Sequence, residues 1–132
     1  MGRLSIVWRI TAKIGNNRAM NNSGLNVFAR FRAKVGQEGR VRRTLLDMIE
    51  PTVRESANIG YALYAAKDDP TLLLLYEQWE DMAGLEAHMA QPYFAEMRRR
   101  LDGALVEPPE VITSTMIGDS TAESSAETPV KS

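Results

Sequence analysis

The sequence of 132 residues has no cysteine and a single histidine, His88. The first absence excludes disulfides, thiolate catalysis and zinc–sulfur sites. The second excludes a multi-histidine metal site within one chain, and no EF-hand-like spacing of carboxylates replaces it. No Gly-rich nucleotide loop is present either. Long apolar runs are missing: nothing approaches the roughly twenty residues needed to span a bilayer. The early run Leu4-Ser5-Ile6-Val7-Trp8 is cut by Arg9, too short for a signal-peptide core. With a net charge of −1 there is no bulk electrostatic case for nucleic acid. The expectation is a cytoplasmic protein that binds neither nucleic acid nor membrane.

What is present suits one globular domain, with 44% apolar and 25% charged residues. The charge is segregated along the chain. Residues 1–43 hold ten Lys/Arg and one acid, Glu38, for +9; the remaining six basic against sixteen acidic residues give −10. The simplest expectation is that the two regions lie near one another in the fold.

Residues 1–24 read as an N-terminal extension, with turn chemistry at Gly15-Asn16-Asn17 and Asn21-Asn22-Ser23-Gly24. Met20 is a candidate natural start. Leu25 to Val35 alternates as a strand, with Val27, Ala29, Phe31, Ala33 and Val35 on one face. Gln37 to Ser56 has helical spacing at Val41, Leu45, Met48/Ile49 and Thr52/Val53. Pro51 should break it near Glu50. Ile59 to Ala65 and Thr71 to Trp79 form an antiparallel hairpin about the turn Lys67-Asp68-Asp69-Pro70. Asp81 caps a helix from Met82 to Ala90, and Pro92 opens another that reaches about Leu105. After Pro108-Pro109, Val111 to Ile117 is a fourth strand. Residues 118–132, rich in Ser, Thr and Glu, read as a disordered tail. The order βαββαβ over 25–117 is the ferredoxin-like α+β arrangement with an antiparallel sheet.

Leu72-Leu73-Leu74-Leu75 does not alternate. A sheet with helices on one side only should have one wet face, so both faces of this strand require cover. A second copy of the same face supplies it, which predicts a homodimer joined sheet to sheet.

Residues 25–117 resemble the antibiotic biosynthesis monooxygenase domain family, a group of dimeric α/β barrels that includes quinol and anthrone monooxygenases. The resemblance rests on Phe28-Ala29-Arg30-Phe31-Arg32-Ala33-Lys34 with Val35-Gly36, on Gly60-Tyr61-Ala62-Leu63-Tyr64, and on Leu75-Tyr76-Glu77-Gln78-Trp79-Glu80-Asp81. It continues in Leu85-Glu86-Ala87-His88, Gln91-Pro92-Tyr93-Phe94 and Glu107-Pro108-Pro109. It implies a pocket between sheet and helices and a monooxygenase acting on a small aromatic substrate with dioxygen. It also implies that no metal, flavin or other cofactor is used. Haem-degrading relatives carry an asparagine, a tryptophan and a histidine at positions that fall here on Ala29, His88 and Arg98, so that activity is not expected. Two alternatives remain: a non-catalytic dimeric binding or stress-associated protein, and an isomerase of a small phosphorylated carbonyl compound, for which Arg98 to Arg100 would serve the phosphate.

Within that resemblance His88 is the candidate catalytic proton acceptor, the one side chain with an ordinary pKa near neutrality. Trp79, Tyr61, Tyr76, Phe31 and Phe94 are the candidate substrate-binding residues, with Tyr64, Met89 and Met97 as further packing or wall positions. Each has a plainer reading as core. Arg30 and Arg32 share a strand face, where Glu77 or Glu80 is expected to pair with one of them on the dimer-facing side.

Overall fold

The computed structural model describes residues 24–120. The readings of the N-terminal extension, of a start at Met20 and of most of the tail fall outside them. The elements are β1 (Leu25–Arg32), α1 (Glu38–Leu46), α2 (Ile49–Val53), β2 (Asn58–Ala66), β3 (Asp69–Trp79), α3 (Met82–Met89), α4 (Pro92–Leu101) and β4 (Glu110–Ser114). The sheet order is β2-β3-β1-β4, antiparallel throughout. This is the ferredoxin-like α+β fold.

Period-two alternation decides what each face carries. Val27, Ala29 and Phe31 of β1 lie in register with Glu77, Leu75 and Leu73 of β3. These side chains are buried together with Val41, Leu45, Leu85, Phe94, Met97 and Leu101 from the helices, in one core. No helix among the described residues lies over the opposite face. There the row Ile112–Phe28–Tyr76–Ala62 crosses all four strands. Phe28, Leu74, Tyr64 and Ile112 are 48%, 36%, 56% and 50% exposed. The leucines of β3 therefore divide: Leu73 and Leu75 belong to the core, Leu72 and Leu74 to the open face.

Several boundaries differ from the sequence reading, each for a local reason. The long helix breaks at Asp47–Met48, earlier than expected, and Pro51 falls in the first turn of α2. There its missing N–H has no partner to lose. Helix α4 stops at Leu101 rather than near Leu105. Gly103 adopts φ +81°, a left-handed conformation that glycine takes without steric cost. Arg40 of α1 then donates to the freed carbonyls of Arg100 at 2.9 Å and Asp102 at 3.0 Å. Strand β1 ends at Arg32; beyond it Val35 is 88% exposed rather than inward. Strand β4 is shorter than expected, five residues. Asp81 does cap α3, accepting from the Gly84 N–H at 2.9 Å, and Pro92 opens α4.

Candidate active site

His88 lies in the last turn of α3 and is fully buried. Its partners come from two other elements. The five-residue α2 ends at Val53, and the turn after it carries Glu55 beneath α3. The Glu80 N–H donates to the Ala57 carbonyl at 2.9 Å, tying this turn to the end of β3. Glu55 Oε2 is 2.8 Å from His88 Nδ1. Tyr93, in the first turn of α4, donates its hydroxyl to the same Glu55 oxygen. That hydroxyl also lies 3.3 Å from His88 Nδ1 and 3.4 Å from Thr52 Oγ1. Burial, and next the hydrogen bond to Glu55, push the Tyr93 phenol above its usual range, so it remains a donor.

With Glu55 accepting at Nδ1, the neutral imidazole carries its hydrogen there and leaves a lone pair on Nε2. Nε2 is buried and has no hydrogen-bond partner among the described residues. Around the ring stand Trp79 at 4.7 Å between centroids, Phe94 at 5.1 Å and Tyr93 at 5.8 Å, the last two edge-on. The arrangement holds a base by one nitrogen and turns the other inward. Glu55, whose side chain is 14% exposed, and the partly buried Tyr93 are the members of the cluster that reach solvent.

A second acidic group lies beside it. Glu77 is fully buried on the helix-facing side of β3, between Val27 and Tyr61 in register. Its Oε1 accepts from Trp79 Nε1 at 2.6 Å, while Oε2 is buried without a hydrogen-bond partner among the described residues. Burial raises its carboxyl well above the ordinary range and the charge of Glu55 adds to this, against the Trp79 hydrogen bond. Tyr61 donates to the Leu45 carbonyl at 3.4 Å. Burial, followed by Glu77, raises its phenol well above the usual value.

Residues 25–100 match the family model of antibiotic biosynthesis monooxygenase. The chain belongs to that family. Similar solved structures of the same fold include PA3566 from Pseudomonas aeruginosa, 24% identical with a TM-score of 0.70, covering 75% of this chain and 98% of that one. Rv0793 from Mycobacterium tuberculosis is 27% identical with a TM-score of 0.68, covering 74% and 98%. A structure named antibiotic biosynthesis monooxygenase is 22% identical with a TM-score of 0.67, covering 71% and 99%. An uncharacterised protein of Synechocystis is 32% identical over 63 residues, which are 48% of this chain and 43% of that protein.

In this antibiotic biosynthesis monooxygenase domain, His88, Trp79 and Phe94 come together. Tyr61 lies beside Glu77. Phe31 is core, opposite Leu73. Tyr76 does not join them. Sitting one residue out of phase with Glu77, it points to the open face, stacks on Phe28 at 4.9 Å and donates to Asn26 Oδ1 at 2.9 Å. Tyr64 shares that face. The expected pairing of Glu77 or Glu80 with Arg30 or Arg32 is not found: Glu77 is on the other side of the sheet, and Glu80 lies just past the end of β3. Arg30 pairs with Glu110 at 3.2 Å and Arg32 with Asp69 at 2.8 Å. Of the arginine run, Arg99 pairs with Glu96 and Arg100 with Asp47, which weakens a phosphate role. Arg98 lies 5.6 Å over the Phe94 ring. It also lines a cleft of about 310 Å³ with Leu101, Leu105, Val106 and Pro108. Phe94 itself is buried and touches both Arg98 and His88.

Glu55 and Tyr93 were not singled out in the sequence. Tyr93 had a signal, five residues after His88 at the start of the next helix. Glu55 had none, since its approach depends on the turn that follows α2.

Proposed function

We propose that this protein is a monooxygenase that oxidises a flat quinol-like or polycyclic phenolic substrate with dioxygen and draws the electrons from the substrate itself. The observation that supports this best is the buried, unpartnered Nε2 of His88, backed at Nδ1 by Glu55 and walled by Trp79 and Phe94. For an anthrone-type substrate the balance is as follows. His88 Nε2 takes the acidic proton. The resulting anion passes one electron to dioxygen, and the two radicals join to form a carbon–peroxide bond. The imidazolium returns its proton to the outer oxygen. Loss of that oxygen with the remaining hydrogen of the same carbon leaves a carbonyl and one water. No external reductant enters. Glu55 is a positioning residue that holds the tautomer and steadies the imidazolium. The reaction proceeds in a homodimer joined through the open sheet face, with no cofactor.

Oxygen uptake with dithranol, a dihydroxyanthrone, tests the reading against a protein-free control. Wild type should accelerate uptake, and His88→Gln, which keeps much of the side-chain volume, should lower the rate by about 10²- to 10⁴-fold in a protein whose circular dichroism shows it folded at the assay temperature. No acceleration with dithranol or with a panel of hydroquinones would leave a binding protein as the better description.

A further inference from the structure

The proton-transfer scheme uses His88 and Glu55 but leaves Glu77 without a task. A buried carboxyl with an unsatisfied oxygen is costly, because the group has given up water without a replacement. Two such atoms, His88 Nε2 and Glu77 Oε2, occur beside one indole. Glu77 receives the N–H at one end of Trp79, and His88 packs against the rings of the same side chain. Both therefore contact the same indole, in the layer between sheet and helices. One of the two is an acceptor, given the hydrogen on Nδ1. The other already uses Oε1 as an acceptor and has Oε2 to spare.

We propose that Glu77 binds substrate as a neutral acid: its Oε2–H donates to a carbonyl or phenolic oxygen of a flat ligand whose acidic hydroxyl is held by His88 Nε2. The ligand class follows from the pair. It is an aromatic compound carrying an acidic hydroxyl and a second oxygen that accepts, such as a hydroxylated anthrone or quinone. This rests on the oxygenase reading for the role of His88, but the binding claim can stand without turnover. The neutral state has a physical source. Glu77 is fully buried, and the acidic Glu55, the phenols of Tyr61 and Tyr93 and, across the Trp79 rings, His88 are its polar neighbours; of these only His88 can become a cation, and in the proposed scheme it does so only on taking the substrate's proton. A dry donor aimed at a developing oxyanion strengthens as charge moves onto the ligand oxygen.

The test uses dantron, the dihydroxyanthraquinone corresponding to oxidised dithranol, because it binds without reacting. Calorimetric titration should give wild-type binding, a Kd within about threefold for Glu77→Gln, which keeps a donor, and a Kd raised about tenfold for Glu77→Leu. Because Glu77→Leu also takes the acceptor from Trp79, a second measurement is independent of that variant. Infrared difference spectra of wild type with and without dantron should show a protonated-carboxyl stretch that shifts on binding and is missing in Glu77→Gln. The proposal is overturned by no dantron binding, by an unshifted or absent carboxyl band, or by equal affinity in a folded Glu77→Leu. Glu77-dependent binding without oxygen uptake would defeat the oxygenase reading alone. Turnover indifferent to Glu77→Leu would defeat this assignment alone.

Discussion

Gly84→Ala places one methyl group where α3 meets the turn that carries Glu55. A Cβ at Gly84 would lie 2.5 Å from the Cβ of Ala57, 3.5 Å from Asp81 Oδ1 and 3.7 Å from Trp79 Cε3. Ordinary carbon contacts are about 3.5–4.0 Å, so the two methyl groups must separate by about 1 Å or more. Ala57 cannot retreat easily, because its carbonyl is bound by the Glu80 N–H. Helix α3 must lift instead, which strains the Asp81 cap and moves buried Leu85 and, one turn on, His88. Overpacking of this kind costs about 1–3 kcal/mol. Alanine in place of glycine returns up to about 1 kcal/mol in helix propensity, less at this third helical position. The expected net is about 1–2 kcal/mol of destabilisation, or a fall in Tm of about 4–8 °C per kcal/mol for a domain of this size. Urea unfolding followed by circular dichroism measures it. Adding Ala57→Gly removes the opposing methyl, so the double variant should show a favourable coupling of about 1 kcal/mol. A Gly84→Ala protein as stable as wild type, or a strictly additive double variant, would refute the argument that this glycine is required by close approach.

Three further outcomes can be checked. Leu74→Glu puts a carboxylate on the open face opposite Arg30 in register; the single chain should fold, and sedimentation at micromolar concentration should show a dimer for wild type and a monomer for the variant. Asp69 is held down from 3.8 to about 2 by its hydrogen bonds to Thr71 and Arg32. Its stabilising effect is therefore complete above about pH 4 and lost as pH falls toward 2, and Asp69→Asn should remove that part of the acid sensitivity in Tm. Glu77 has the opposite sign: its folded carboxyl is raised well above 4.5, so its effect is fullest below that pH and declines as pH rises. Compared with wild type, Glu77→Gln should gain in Tm as pH rises above about 4.5.

Much of the fold was legible because alternation and punctuation carry it. Val27, Ala29 and Phe31 announce one face of β1, Asp81 and Pro92 mark the starts of α3 and α4, and the hairpin turns within the expected segment, at Lys67-Asp68. The errors came where a general rule overrode the local count. In β3, period two puts Glu77 with Leu73, Leu75 and Trp79, but charged residues are so seldom buried that the acid was expected outside. The same phase count moves Tyr76 to the open face. The end of α4 depends on Gly103 adopting a left-handed backbone, a choice that helical spacing at Leu101 and Leu105 concealed. The His88–Glu55 pair spans α3 and the turn after α2, and no spacing within either segment encodes that meeting.

Trp79 has one further consequence. The sequence has two tryptophans, Trp8 and Trp79, so replacing Trp8 with phenylalanine leaves a single indole at the centre of the candidate site. Its N–H is bound to Glu77 and its rings lie against His88. Light emitted from that ring responds to water entering the layer, to the protonation of the imidazole and to a flat molecule arriving beside it. The protein thus contains its own optical gauge of whether the site is open, occupied or charged, readable in real time without a label.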